Sequence, residues 1–346
     1  MPGVPREALL FKVLGLGFAL LVVTTAPVAA MADGLPVLGV DVGSEGVTAR
    51  TSPIRYVTLP AAGGTVVART AVRGGRVLAF TQFPGTFTIP AVAYDGSASG
   101  LSADSSTLVL IQPRLRFPRA QTPLLILDAK RLRMRKLVTL RGDFSFDAIS
   151  PRGRTLFLIQ YLSPRDPARY KVRAYDVRAG RLRASAVVDP HEQGVMRGSP
   201  VTRATSSNGR WAYTLYNGAR GTPFIHALDT SKSQARCIDL PMLRGRQDLS
   251  QLRITIAPDQ ARLTVGTAGQ KLAVVDTRSF RVSTPLEPAA TTPALTSRHR
   301  DATWLPLGVA ALMTALPVAA LSLTFRRRRP RMTRTASEVA GHGPKA

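Results

Sequence analysis

A single cysteine, Cys237, stands among 346 residues. No disulfide can close within such a chain, which excludes a small bridge-stapled secreted scaffold and leaves packing to hold the fold. Histidines number four. With one thiol they form no cluster at metal-ligand spacing, so zinc fingers and zinc ribbons are excluded, and neither a metal nor another cofactor is expected. No glycine-rich phosphate loop, nucleophile elbow or metal-binding helix motif is present. Acidic residues are scarce: 21 Asp and Glu face 47 Lys and Arg, a formal net charge of +26. Yet charged residues make up only 20% and hydrophobic ones 45%, a balance too apolar for wholesale disorder.

Two apolar runs stand apart from the rest. Residues 1–32 read as a secretory signal peptide: Arg6 and Lys12 give a positive start, residues 13–23 an uncharged apolar stretch, and Ala30-Met31-Ala32 a small-x-small cleavage site. An uncleaved signal anchor is the alternative, and it exports the following chain equally. Residues 305–325 carry no charge and run into Arg326, Arg327, Arg328 and Arg329. At about 1.5 Å per residue this run matches a hydrocarbon core of about 30 Å, so a transmembrane helix is expected over 304–325. The arginine block is the stop-transfer signal that keeps the basic tail, 326–346, in the cytoplasm. Residues 287–303, rich in Pro, Thr and Ala, read as a stalk. The expectation is a single-pass membrane protein whose main domain, 33–286, is extracytoplasmic. Between residues 33 and 303 there are 38 basic and 19 acidic side chains, a surplus near +19, so the charge is not confined to the tail.

A unit of about fifty residues repeats through that domain. Its clearest copy has the turn Ser150-Pro151-Arg152-Gly153, the apolar strand Thr155-Leu156-Phe157-Leu158-Ile159, and a later strand ending in Tyr175-Asp176 before a turn at Gly180. The turn recurs at Ser102-Ala103-Asp104-Ser105, Ser206-Ser207-Asn208-Gly209 and Ala257-Pro258-Asp259-Gln260, and in eroded form at Ser52-Pro53. Anchors at Ser52, Ser102, Ser150, Ser206 and Ala257 are spaced by 50, 48, 56 and 51 residues. Alternating Val, Ile, Leu, Tyr and Thr suit half-buried antiparallel strands, and Pro, Asn, Asp and Gly supply the reversals. One such sheet cannot bury its own faces, whereas a radial stack can. The expectation is all-β: a β-propeller of five four-stranded blades. Six is the alternative, if residues 35–42 close the last blade.

At these turns the sequence resembles bacterial propeller proteins of the YVTN and TolB-like (WD-repeat-like) kind, whose repeats carry Ser-Pro-Asp-Gly before one strand and Asp-x-x-x-Gly after the next. The resemblance covers residues 51–284. It implies a propeller fold and leaves function open, because that architecture hosts binding proteins, scaffolds and enzymes. Arg152 replaces the turn aspartate of the pattern, and the first copy lacks two turn residues.

Little in this sequence points to catalysis. Asp128, Asp176, Asp229 and Asp276 recur once per blade, as expected of residues that hold a turn. Asp143 and Asp147 are the one suggestive carboxylate pair, with Asp147 on an innermost strand, and His191 lies in an inter-blade loop beside Asp189 and Glu192. These three are the weak catalytic candidates. His226 reads as a satisfied strand residue and Cys237 as a buried thiol without a task. His299 and His342 fall in the stalk and the tail. Arg141-Gly142-Asp143 spells an integrin tripeptide, too short to carry an argument.

The arginines are the remaining signal. Arg114, Arg116 and Arg119 crowd one loop, Arg131, Arg133 and Arg135 a turn and strand start, and Arg165, Arg169 and Arg173 another loop. Gathered on the ends of a disc they form a cationic surface for a protein or an anionic envelope component, such as a lipid headgroup or wall polymer. Nucleic acid is disfavoured because aromatic residues are only 6% and not interleaved with the charge. The function expected is therefore a non-catalytic, membrane-anchored binding, sensing or scaffold module. The alternative is a propeller enzyme (lyase, lactonase or glycan hydrolase) with its site in the central channel.

Overall fold

A computed structural model describes residues 43–285 except 193–194 and 219–220. The expected signal peptide, stalk, transmembrane helix and tail and the proposed closing strand at 35–42 lie outside the described residues. Among the described residues no helix is long and apolar enough to cross a membrane.

Among the described residues five antiparallel sheets follow one another. The first contains β1 (Val47–Thr48), β2 (Ile54–Ala61), β3 (Gly64–Ala71) and β4 (Val77–Pro84). The second has β5 (Thr107–Ile111), β6 (Gln121–Asp128) and β7 (Arg133–Arg141), with Leu101 bridged to Leu108 on the inner edge. In the third, β8 (Phe144–Ile149), β9 (Thr155–Tyr161), β10 (Arg169–Asp176) and β11 (Arg181–Val187) run in order, and β12 (Met196–Arg197) adds to β10. The fourth holds β13 (Pro200–Thr205), β14 (Trp211–Tyr216), β15 (Phe224–Asp229) and β16 (Gln234–Asp239). Last come β17 (Arg253–Ile256), β18 (Arg262–Gly266), β19 (Lys271–Asp276) and β20 (Val282–Ser283). The strand β1 completes the first sheet on its inner side, so the eroded first repeat still builds four strands. Arg169 and Arg173, expected in a loop, lie within β10.

The repeated turn has a local chemical cause. A serine hydroxyl accepts the backbone N–H five residues on: Ser102 from Thr107 (3.0 Å), Ser150 from Thr155 (2.9 Å) and Ser206 from Trp211 (2.9 Å). The third residue after four of the five anchors is left-handed: Ser105, Gly153, Gly209 and Gln260 have φ of 54°, 68°, 72° and 60°. The aspartate turn works similarly. Asp128, Asp176, Asp229 and Asp276 accept N–H groups from Arg131, Ala179, Lys232 and Ser279 at 2.7–3.0 Å. Short polar side chains thereby satisfy main-chain donors that a tight reversal would leave open.

Consecutive sheets share cores. Leu108, Leu110 and Leu125 pack against Tyr56 and Val67 between the first and second, and Val109, Ile126 and Phe144 with Leu156 between the second and third. Phe157 and Val172 meet Ala212 and Leu228 between the third and fourth. Leu215 and Ile225 meet Leu263 and Val275 between the fourth and fifth. Non-adjacent sheets also touch, but only at their inner edges. A Cβ at Gly209 of the fourth sheet would lie 2.6 Å from the Ala103 Cβ of the second. Arg50 Nη1, at the first sheet, donates to the Thr205 carbonyl of the fourth at 3.4 Å. Sheets that pack face to face in sequence and converge at their first strands are the blades of a β-propeller.

Ser105 has two defects at once: a side chain in the left-handed region and a buried hydroxyl without a hydrogen-bond partner. Ser105→Gly is expected to raise stability by about 1 kcal/mol in urea unfolding. Gly153→Ala is expected to lower it by about 2 kcal/mol or more, because its Cβ would be left-handed and 2.4 Å from Thr107 Oγ1.

Candidate functional site

The carboxylate candidates prove to be engaged by arginines inside the protein. Asp143, at the start of the third blade, accepts Arg114 Nη1 at 2.8 Å and the Arg119 backbone N–H at 2.9 Å, with Arg119 Nε 3.4 Å away. The side chains of Arg114 and Asp143 are only 3% and 4% exposed. Arg114 also donates to the Tyr161 hydroxyl at 3.2 Å and lies 4.7 Å from that ring's centroid. Burial of Asp143 also removes the Arg141-Gly142-Asp143 tripeptide from consideration as an adhesion motif. Asp147 on β8 forms a buried ion pair with Arg203 on β13, which also donates to the Asp147 carbonyl at 2.5 Å and to Thr214 Oγ1 at 2.8 Å. The two aspartates thus serve separate arginine clamps rather than one acid–base pair.

Where the inner strands converge lies a cavity of about 40 Å³, room for no more than a few waters. Thr48, Arg50, Leu101, Ala148, Ile149 and Arg203 are among its walls, and no described carboxylate or imidazole lines it. Asp147, placed by sequence on an innermost strand, is on β8 as expected but turns to the neighbouring blade. His191 is exposed: its Nδ1 lies 2.9 Å from Asp189 Oδ1 and 2.7 Å from Arg236 Nη1. Among the described residues no group of His, Cys, Asp and Glu is placed to hold a metal ion.

A feature missed from sequence is a polar row across the fourth blade. Strand register puts Arg203 opposite Thr214, Thr214 opposite His226, and His226 opposite Cys237, from the innermost strand to the outermost. His226 is 1% exposed, and neither ring nitrogen has a hydrogen-bond partner. It is therefore an unsatisfied strand histidine, contrary to the expectation. Such a group costs about 1–3 kcal/mol. Burial pushes its pKa down to about 4, with Asp147 pulling the other way. Three residues before the turn aspartate, where His226 stands, the second, third and fifth repeats carry Leu125, Arg173 and Ala273. A position that already holds an arginine in one repeat gave no signal that the histidine would be unsatisfied.

The arginines divide by location. Arg114 and Arg119 are internal clamps and leave the predicted surface. Arg173 is half-buried and bonded to Gln160 Oε1 at 2.7 Å and the Arg183 carbonyl at 2.6 Å. Arg131 and Arg135 flank Asp128, 3.5 and 2.9 Å from Oδ2. Arg116, Arg133, Arg165 and Arg169 are exposed. In a four-stranded antiparallel blade the first and third reversals share one end, and the middle reversal and the inter-blade crossing share the other. Arg131 and Arg133 therefore lie at the turn end, Arg116, Arg165 and Arg169 at the loop end. The turn end is the more cationic: Arg76, Lys130, Arg181, Lys232 and Arg281 place at least one cation at the third reversal of every blade. Asp128 is held near pKa 2 by Arg135, and Asp176 and Asp276 are held low by N–H groups of Ala179 and Ser279. At the loop end Asp95, Asp166, Asp189, Glu192, Asp239 and Asp248 offset much of the positive charge.

Among solved structures, the chain is similar to the β-propeller domain of Cps50 (Swd1) from Myceliophteria thermophila. Identity is 7% and TM-score 0.43, over 70% of each chain. Similarity to TolB from Acinetobacter baumannii is 12% identity and TM-score 0.42, over 70% of this chain and 54% of that one. An oligogalacturonate lyase in complex with manganese gives 11% and 0.44, over 71% of this chain and 65% of its own. No family model and no curated protein matches.

Two measurements probe the buried polar groups. Asp147→Ala leaves Arg203 buried without its partner and should cost about 3–5 kcal/mol in denaturant unfolding, whereas Asp147→Leu combined with Arg203→Met should recover most of it. His226 has a folded pKa below its unfolded value of about 6.5, so the unfolded chain binds the extra proton first. Its contribution is complete above that value and lost as pH falls toward 4, about 3 kcal/mol in all. Subtracting the pH–stability curve of His226→Phe from that of the parent should isolate this loss.

Proposed function

We propose that the chain is a non-catalytic, membrane-anchored extracytoplasmic propeller that binds an anionic partner through its turn end. The observation that carries this reading is the sorting of charge: cations recur at the third reversal of every blade, while their neighbouring aspartates are tied to backbone N–H groups. Long-range attraction from such a face raises encounter rates with a polyanion. Both termini of the described chain leave from the loop end, since β1 runs toward its turn and β20 away from one. The turn end is free of these connections. Exposed large apolar side chains occur at both ends, Val72 and Val77 at the turn end and Leu59, Tyr94, Leu115, Leu162 and Met242 at the loop end, so charge is what distinguishes them.

In this reading residues 1–32 direct export, the arginine block after residue 325 fixes the tail in the cytoplasm, and an acidic wall polymer is the favoured partner class. The channel-enzyme alternative gains nothing from the walls described above. Fluorescent polyphosphate and polygalacturonate, titrated into the full chain, should bind at about 50 mM salt and release at about 500 mM, where the Debye length has shrunk severalfold. Reversal of Lys130 and Arg181 to Glu should weaken binding about tenfold, and the same change at Arg165 and Arg169 less than about twofold. Equal losses from both pairs would refute the assignment to the turn end.

A further inference from the structure

The cavity of about 40 Å³ at the convergence of the inner strands is lined in part by hydrogen-bond donors. Arg50, Ser102 and Gly209 belong to the first reversals of three blades and Thr230 to a third reversal, so the cavity sits at the turn end. Its two arginines differ in what they already hold. Arg203 is engaged within the fold: Nη1 and Nη2 donate to Asp147 and Nε to Thr214 Oγ1. Arg50 has no carboxylate partner among the described residues. Its single hydrogen bond there is long, from Nη1 to the carbonyl of the wall residue Thr205 at 3.4 Å, whereas a guanidinium carries five N–H donors. Arg50 is exposed, and none of its nitrogens is sealed from solvent without a partner, so the remaining donors are accessible.

The wall hydroxyls divide in the same way. Ser102 donates to Asp104 Oδ1 at 2.6 Å, and Thr230 is bonded to the carbonyls of Gly209 and Arg210 at 2.9 and 2.8 Å. Those of Thr48, Ser99 and Thr205 have no hydrogen bond among the described residues. The neighbouring acids are already engaged: Asp104 accepts Ser102 and the Ser106 N–H, Asp147 pairs with Arg203, and Asp229 accepts Arg210 Nη2 and Nε at 2.7 and 3.0 Å. Partial burial lowers the pKa of Arg50 from its ordinary value, yet an arginine keeps its proton in proteins. The walls therefore hold one uncompensated positive charge with open donors beside it.

We propose that this cavity is a binding site for one carboxylate group, held by Arg50 and the open hydroxyls of the walls. The planar fork of a guanidinium matches the two oxygens of a carboxylate. Room for a few waters suits the three heavy atoms of that group better than the five of a phosphate. A cation is repelled by Arg50, and a neutral group leaves its charge uncompensated. A free small acid and an acidic polymer lying on the turn end offer the same carboxylate. The site rests on the cavity's own donors and stands or falls separately from the cationic face around it.

The test titrates the full chain, at constant ionic strength, with acetate, acetamide, inorganic phosphate and polygalacturonate. Acetate is expected to bind saturably, at least about tenfold more tightly than acetamide or phosphate, and to shift the Nε–H resonance of Arg50 with that of Arg203 unmoved. Arg50→Gln should abolish acetate binding, and Arg50→Lys, which keeps the charge without the fork, should weaken it about tenfold. Thr48→Phe, which fills the exposed side of the cavity, serves if Arg50→Gln does not fold. Reversal of Lys130 and Arg181 to Glu should leave acetate binding unchanged, so a failure of the cationic face is told apart from a failure of the cavity. Loss of polygalacturonate together with acetate in Arg50→Gln assigns the carboxylate to a polymer, and loss of acetate alone assigns it to a free acid. Phosphate binding as tightly as acetate would overturn the proposal, as would acetate binding undiminished in Arg50→Gln.

Discussion

No blade of this protein can bury its own two faces. Each sheet is one layer thick, and Leu108, Phe157, Leu215 and Ile225 are sealed from water only by residues of neighbouring sheets. Stability is therefore a property of interfaces between repeats, as in other stacked architectures. The lone cysteine fits this constraint, since a chain closed by repeated packing has no need of cross-links. It also explains why the eroded first repeat retains four strands. Tyr56 and Val67 must cover the second sheet whether or not the turn before them keeps its full polar pattern.

The same repetition orders the surface. A reversal needs an acceptor for its N–H groups, and the third reversal of four blades uses an aspartate. Those carboxylates accept backbone N–H groups, and two of them also pair with arginines, Asp128 with Arg131 and Arg135 and Asp229 with Arg210, while further cations of the same turns, such as Lys130 and Arg181, are exposed. A sequence rich in arginine thus acquires a cationic end without any further arrangement of side chains. The opposite end, made of longer and less regular connections, has no such rule, and acids and bases mix there.

The sequence made the fold legible because its signals are local. A serine that caps a group five residues on, a left-handed third position and an alternating strand can each be recognised in a short window. The repeat then multiplies them. The site was less legible because its partners are remote. Arg114 and Asp143 are 29 residues apart and Arg203 and Asp147 are 56 apart. Nothing in a window reveals whether a loop arginine faces solvent or a buried carboxylate. The row from Arg203 to Cys237 exists only through the register of four strands. Comparison of the repeats does not single out His226, because its position holds Leu125, Arg173 and Ala273 in the others.

The seam between the third and fourth blades is where this chain departs from its own rule. The shared cores are otherwise built from Leu, Ile, Val, Ala and aromatic side chains. A buried ion pair joins the second blade to the third, Arg114 with Asp143, and another joins the third to the fourth, Arg203 with Asp147; the latter seam alone adds an imidazole without partners and an Asp147 Oδ2 without one. A buried ion pair rarely adds stability over apolar residues of equal volume, and unsatisfied polar groups subtract from it. The unpartnered imidazole makes this seam less optimised for stability than the apolar cores of the first–second and fourth–fifth sheets, and a pocket of about 150 Å³ opens beside it. Sites that break local rules while the rest of the fold obeys them are where function is expected to reside. The apolar blades supply the stability that allows one interface to hold polar groups in reserve.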